Sequence, residues 1–183
     1  YGPPVFVDDS AVIEKRVSEV IGFGTVRYAM KACSNLAVVS LMRKLGVVVD
    51  CVSEGELVRA MEAGFDPKAE PPQMVYTCDI FDRSSLEFVL KHGISVNIGS
   101  IDMIHQYGPR AERKSITLRI NPGFGHGHSN KTNTGGESSK HGIWHEDLGA
   151  ALDAAASYGL TVDGVHMHIG SGTDFEHLSQ VCQ

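Results

Sequence analysis

Six times along this chain a short apolar run rich in Val and Ile gives way to a segment with helical spacing. VRYAM (26–30) precedes LAVVSLMRKLG, VVVDCVS (47–53) precedes EGELVRAMEAG, and MVYTC (74–78) precedes SSLEFVLKHG. SVNIGS (95–100) leads to IDMIHQYG, SITLRI (115–120) leads through a long polar loop to HEDLGAALDAAASYG, and GVHMHIGSG (164–172) leads to DFEHLSQVCQ. A strand followed by a helix, repeated, buries its apolar faces as a parallel sheet wrapped by helices. The punctuation agrees: Ser53 with Glu56 forms a capping box at a helix start, and Gly46, Gly64, Gly93 and Gly159 stand where helices should stop.

Such a repeat suits either an open doubly wound sheet or a (βα)8 barrel. The polar residues separate the two. Nearly every strand is expected to end in groups able to do chemistry: Lys31, Asp50 with Ser53, Cys78, Asn97, Arg119 with Asn121, and His166 with His168 and Ser171. A barrel brings all such ends to one mouth, whereas an open sheet joins only those at its switch point. The expected fold is therefore an α/β TIM-type barrel, incomplete because about six of eight units are present. An open wall leaves two unpaired edges, so the 183 residues alone are not expected to melt as a cooperative monomer. Residues 1–10 read as a separate N-terminal piece with a short strand at FVDD, and residues 11–183 as the partial barrel.

Charge narrows the partners. A net charge of −6 and a pI near 5.8 argue against nucleic acid and against an anionic membrane, both of which call for a basic surface. No apolar run reaches the roughly 18 residues of a membrane helix, which leaves a small molecule or a protein as partner. Cys33, Cys51, Cys78 and Cys182 are scattered without a CxxC pair, the pattern of reduced thiols in a cytoplasmic protein. No secretory signal is visible in the first 25 residues, and a chain opening on Tyr1 is compatible with a leader already removed.

Lys31 is the first candidate site residue. Alternation in VRYAMK puts Arg27, Ala29 and Lys31 on one face. At the inner mouth of a barrel a lysine is desolvated, which favours its neutral amine, a nucleophile toward a carbonyl or an aldehyde. The competing reading is a snorkelling surface lysine. In GVHMHIGSG, period two places His166 and His168 together. They read as an HxH metal pair, as a ring stacked on a planar cofactor with Gly170, Ser171 and Gly172 turned to a phosphate, or as two satisfied core histidines. Asp50, nineteen residues after Lys31, reads as a carboxylate that holds a protonated imine or a histidine, or as a strand-end turn residue. The loop INPGFGHGHSNKTNTGGESSKHGIW (120–144) has neither a Walker lysine nor a dinucleotide setting for its GxG, so it reads as part of the mouth, with Lys140 and His141 at its end.

RYAMKAC, VDCVSEGEL, LRINPG, TGGESSKHG and GVHMHIGSG occur in one order along nearly the whole chain. In that order they resemble the pyridoxal-phosphate decarboxylases of the alanine-racemase barrel type, whose members act on ornithine, arginine, carboxynorspermidine and diaminopimelate. The long loop is most similar to that of the diaminopimelate branch. The resemblance implies pyridoxal 5'-phosphate as cofactor and Lys31 as the lysine bonded to it. It makes His168 the ring that stacks on the cofactor and Ser171 a phosphate ligand. Asp50, Arg119 and Lys140 become further cofactor-binding positions, with Lys140 near the phenolic oxygen, and Glu56 matches an acidic position on the helix after the second strand. The implied reaction is decarboxylation of meso-2,6-diaminopimelate to L-lysine and carbon dioxide, by a homodimer whose remaining site residues and β domain lie in the other half of the protein; no metal is implied. Arginine or ornithine decarboxylation, a metal-dependent barrel hydrolase using His166, His168 and Asp50, and a non-catalytic pyridoxal-phosphate-binding homologue are the competing readings.

Overall fold

The computed structural model describes residues 2, 4–125, 134–172 and 174–182, and the chain divides into two compact units, residues 1–74 and 75–183.

In the first unit helix α1 (Ser10–Val20) starts where the Asp9 carboxylate accepts the N–H of Ala11 at 2.9 Å. Strand β1 (Arg27–Ala29) is followed by α2 (Leu36–Lys44), whose N-cap Asn35 accepts from Ala37 N–H. Strand β2 (Val48–Cys51) leads into α3 (Glu54–Glu62). Here the expected capping box forms. Ser53 Oγ accepts the Glu56 N–H at 3.3 Å, and the Glu56 carboxylate accepts the N–H of Val52, one residue before the cap, at 2.8 Å. β1 and β2 pair in parallel with Ala29 opposite Asp50. Val38, Met42 and Val47 form a buried cluster against which Ile13 and Val17 of α1, Val26, Tyr28 and Leu45 pack. That contact is what holds α1, which contributes no fully buried residue of its own.

The second unit runs β3 (Met74–Cys78), α4 (Arg83–His92), β4 (Ser95–Ile98), α5 (Ile101–Tyr107), β5 (Ser115–Asn121), β6 (Ile143–Trp144), α6 (Leu148–Ser157), β7 (Thr161–His166) and α7 (Phe175–Val181). β3 pairs with β4 and β4 with β5, and β5 also pairs with β6 and β7, every pair parallel. Ile98, Ile116 and Leu118 on these strands are fully buried with Met103 and Ile104 of α5, each worth about 1.5–3 kcal/mol in apolar area removed from water. Tyr76, Phe81 and Tyr107 stack in series with centroids 5.6 and 6.4 Å apart. Gly108 lets the ring of Tyr158 close in after α6, since a Cβ there would lie 2.5 Å from that ring.

The parallel α/β architecture is the one expected, with three local differences. FVDD forms no strand: residues 4–9 have no strand partner among the described residues and Phe6 is fully exposed, so its backbone has no ladder to join. β6, only two residues long, escaped the pattern. β7 begins at Thr161 rather than Gly164, because TVDGVH alternates in exposure and carries too few apolar residues to read as a buried strand.

Candidate active site

In the first unit β1 stops at Ala29, and Met30 with Lys31 forms the turn that leaves it, closed by Ala32 N–H donating to the carbonyl of Ala29 at 3.1 Å. The strand alternation therefore does not extend to Lys31, which is exposed on that turn. The desolvation expected of it is not supplied by this chain. What the fold does supply is a neighbour: Met30 N–H donates to the Asp50 carbonyl at 3.0 Å, which fixes the β2 end beside the turn that carries Lys31. Arg27, expected on the same face as Lys31, donates from Nη2 to the carbonyl of Pro72 at 3.0 Å. Cys51 is sealed in the core. Burial first, then the Glu56 and Asp50 carboxylates, push its thiol far above the usual range, so it is no nucleophile.

The second unit gathers its polar groups around a residue that the sequence reading passed over. Asp79, directly after β3, receives Arg119 Nη1 at 3.0 Å, the Gly142 N–H at 3.3 Å and a short hydrogen bond from His141 Nδ1. Arg119 is 8% exposed, so its charge needs this partner. The carboxylate sits over Gly99, where a Cβ would come within 2.7 Å of Asp79 Oδ1. Asp79, Gly99, Ser100, Gly142 and the exposed Lys140 line one cavity of about 370 Å³. The signal for Asp79 was an acid immediately past a strand, the same signal that picked out Asp50.

Two other strand-end residues have structural partners. Asn97 donates to Thr77 Oγ1 at 2.7 Å, a buried cross-strand pair between β4 and β3. Asn121 ties the neck of the long loop: its Nδ2 donates to the Gly136 carbonyl at 3.0 Å while its Oδ1 accepts from Gly136 N–H at 2.9 Å and Gly123 N–H at 3.1 Å. His126 and His128 of GHGHS lie outside the described residues.

Along β7 and past its end, burial alternates through Gly164, His166 and His168 on one side and Val165 and Met167 on the other, so the two histidines do share a face. Among the described residues no three His, Cys, Asp or Glu side chains are grouped as a metal site. His168 Nδ1 instead meets Thr134 Oγ1 at 2.7 Å. Ser171 is exposed in the glycine turn that follows, where Gly172 takes a φ of 77°. The start of α7 is closed by Asp174, whose carboxylate accepts from His177 N–H at 2.9 Å. The start of that helix thus already holds an anion, the Asp174 carboxylate.

The model for the pyridoxal-binding domain of pyridoxal-dependent decarboxylases matches residues 12–183. The chain belongs to that family. It is 51% identical over 182 residues to the diaminopimelate decarboxylase of Escherichia coli strain K12, covering 100% of this chain and 43% of that protein. It is 50% identical over 183 residues to the diaminopimelate decarboxylase of Streptomyces coelicolor, again with 100% of this chain and 42% of the relative. A crystal structure of diaminopimelate decarboxylase superposes with a TM-score of 0.93 at 51% identity, over 100% of this chain and 43% of that one. The α/β fold is thus that of the barrel-type decarboxylases, and the chain spans less than half the length of these relatives. Among the described residues no helix is long and apolar enough to cross a membrane.

The residues present fit a pyridoxal group. An accessible primary amine at a strand end suits its aldehyde, a held imidazole suits its flat ring, and a hydroxyl in a glycine turn suits its phosphate. Thr134, which holds that imidazole, was not visible in the sequence: it lies thirty-four residues away inside a polar loop.

Proposed function

We propose that the protein to which this chain belongs is a pyridoxal 5'-phosphate-dependent carboxy-lyase that converts meso-2,6-diaminopimelate to L-lysine and carbon dioxide in lysine biosynthesis. The observation that carries this reading is identity of 45–51% to six bacterial diaminopimelate decarboxylases along essentially the whole chain. In this reading Lys31 bonds the cofactor covalently through its exposed amine. Asp50, on the adjoining strand end opposite Ala29, is read as a further cofactor-binding carboxylate. His168 packs its ring on the cofactor, Ser171 donates its hydroxyl to the phosphate, and Lys140 faces the phenolic oxygen. Arg119 contributes through Asp79, which it holds in place. The cofactor, when bound, accepts the electron pair left as the carboxylate departs. Residues 11–183 form the barrel part of the site, residues 1–10 belong to a second domain, and the protein works as a cytoplasmic homodimer on a small amino-acid substrate, as the family resemblance implies.

The test uses the full-length protein with added pyridoxal phosphate. Borohydride treatment followed by peptide mapping is expected to leave a pyridoxyl label on Lys31, and carbon dioxide release is expected from meso-diaminopimelate and not from arginine or ornithine. Release from arginine or ornithine instead overturns the substrate. An unlabelled protein that binds stoichiometric zinc overturns the cofactor and turns the reading to a hydrolase.

A further inference from the structure

We propose that Thr134 is a positioning residue that fixes the tautomer and orientation of the His168 ring. Its hydroxyl makes two contacts at once: 2.7 Å to His168 Nδ1 and 2.8 Å to the carbonyl oxygen of the same residue. A hydroxyl has one proton to give, and a carbonyl can only accept. If that proton went to Nδ1, the hydroxyl and carbonyl oxygens would face each other at 2.8 Å with no hydrogen between them. The proton therefore goes to the carbonyl, and Nδ1–H donates to Oγ1. In the neutral ring this assigns the single N–H to Nδ1 and leaves Nε2 as the acceptor. The imidazolium keeps the same Nδ1–H bond, so the clamp holds in both protonation states and excludes only the Nε2–H tautomer and the flipped ring.

Thr134 is itself held from behind. Its N–H reaches the Ile169 carbonyl at 3.4 Å, which straps it to the segment after β7. Gly135 packs its backbone so tightly that a Cβ there would fall 2.1 Å from the Phe124 carbonyl oxygen, and Gly136 is locked to the Asn121 carboxamide by two hydrogen bonds. The hydroxyl is therefore delivered by a fixed backbone, as an orienting partner must be.

The catalytic meaning of this clamp rests on the reading of His168 as the ring that packs on the cofactor; the tautomer does not. The experiment compares full-length wild type, Thr134→Val, which keeps the shape without the hydroxyl, and Thr134→Ser, which keeps the hydroxyl. Histidine ring nitrogens are labelled with 15N, and His168 is assigned by its loss in His168→Gln. Wild type and Thr134→Ser are expected to show the Nδ1–H tautomer in the cofactor-free protein, and Thr134→Val a mixture or the Nε2–H form. With pyridoxal phosphate, Thr134→Val is expected to bind about tenfold more weakly, with reduced circular dichroism in the cofactor band, and Thr134→Ser to recover both. An unchanged Nδ1–H tautomer in Thr134→Val, or a Thr134→Ser protein with the valine variant's ring spectrum, overturns the proposal. If the wild type binds no pyridoxal phosphate, the functional reading fails while the cofactor-free ring spectra still decide the tautomer.

Discussion

The polar groups at the strand ends of the first unit and of the second are held in opposite ways. Lys31 stands exposed on a turn placed by two backbone hydrogen bonds, Ala32 N–H to Ala29 and Met30 N–H to Asp50. Arg119, Asp79 and His141 are mostly buried and hydrogen-bonded to one another, and Asn121 has its carboxamide occupied three times over. A side chain that must form and break bonds with a ligand gains from being reachable. One that must keep other groups in register gains from being satisfied, because a buried charge without its partner is costly. Under the proposed function, the difference separates chemistry from scaffolding within one set of strand-end residues.

The sharpest way to break that contrast is at Lys31. Lys31→Ala in the full-length protein is expected to lower carbon dioxide release by about a thousandfold or more, as loss of a covalent group does, while stability changes by no more than about 0.5 kcal/mol. A variant that keeps its activity, or one that unfolds, removes the distinction. At the scaffold end the expectation reverses. Asp79→Ala leaves the buried Arg119 guanidinium uncompensated and is expected to cost about 3 kcal/mol in urea denaturation. Asp79→Leu combined with Arg119→Met is expected to be less damaging than either single change, and strictly additive costs would show that the pair is not coupled.

A smaller effect is readable in acid. The carboxyl of Asp82, N-cap of α4, is held below its ordinary value of 3.8, first by the Ser85 N–H at 2.7 Å and then by the Ser84 and Ser85 hydroxyls. A carboxyl depressed in the folded state contributes stability that is complete above its unfolded value and lost as pH falls through its folded one. Asp82→Asn keeps a capping oxygen that does not titrate, so the fall in stability below about pH 4 is expected to be shallower in the variant. Parallel acid limbs for the two proteins would remove this contribution.

Much of the scaffold was legible because its signals are local. Apolar runs announced β1 to β5, and the Ser53–Glu56 spacing announced the start of α3. What stayed hidden depends on partners distant in the chain. Nothing in the sequence singles out Asp79 without Arg119, forty residues on, set against it, or Thr134 without His168. Asn97 and Asn121 read in the sequence as strand-end groups able to do chemistry because composition cannot tell a satisfied carboxamide from one offered to a ligand. The alternation of VRYAMK put Lys31 on the right strand but not on its turn, since a pattern of period two does not say where a strand stops.

Gly99 carries no charge and donates nothing to Asp79, yet the carboxylate rests where its side chain would be. One added methyl group there has nowhere to go except into that oxygen, and the displacement would pass directly to Arg119 and to the chain turn at Gly142. A mutational scan would therefore register position 99 as an electrostatic defect, with the smallest possible hydrocarbon as its cause.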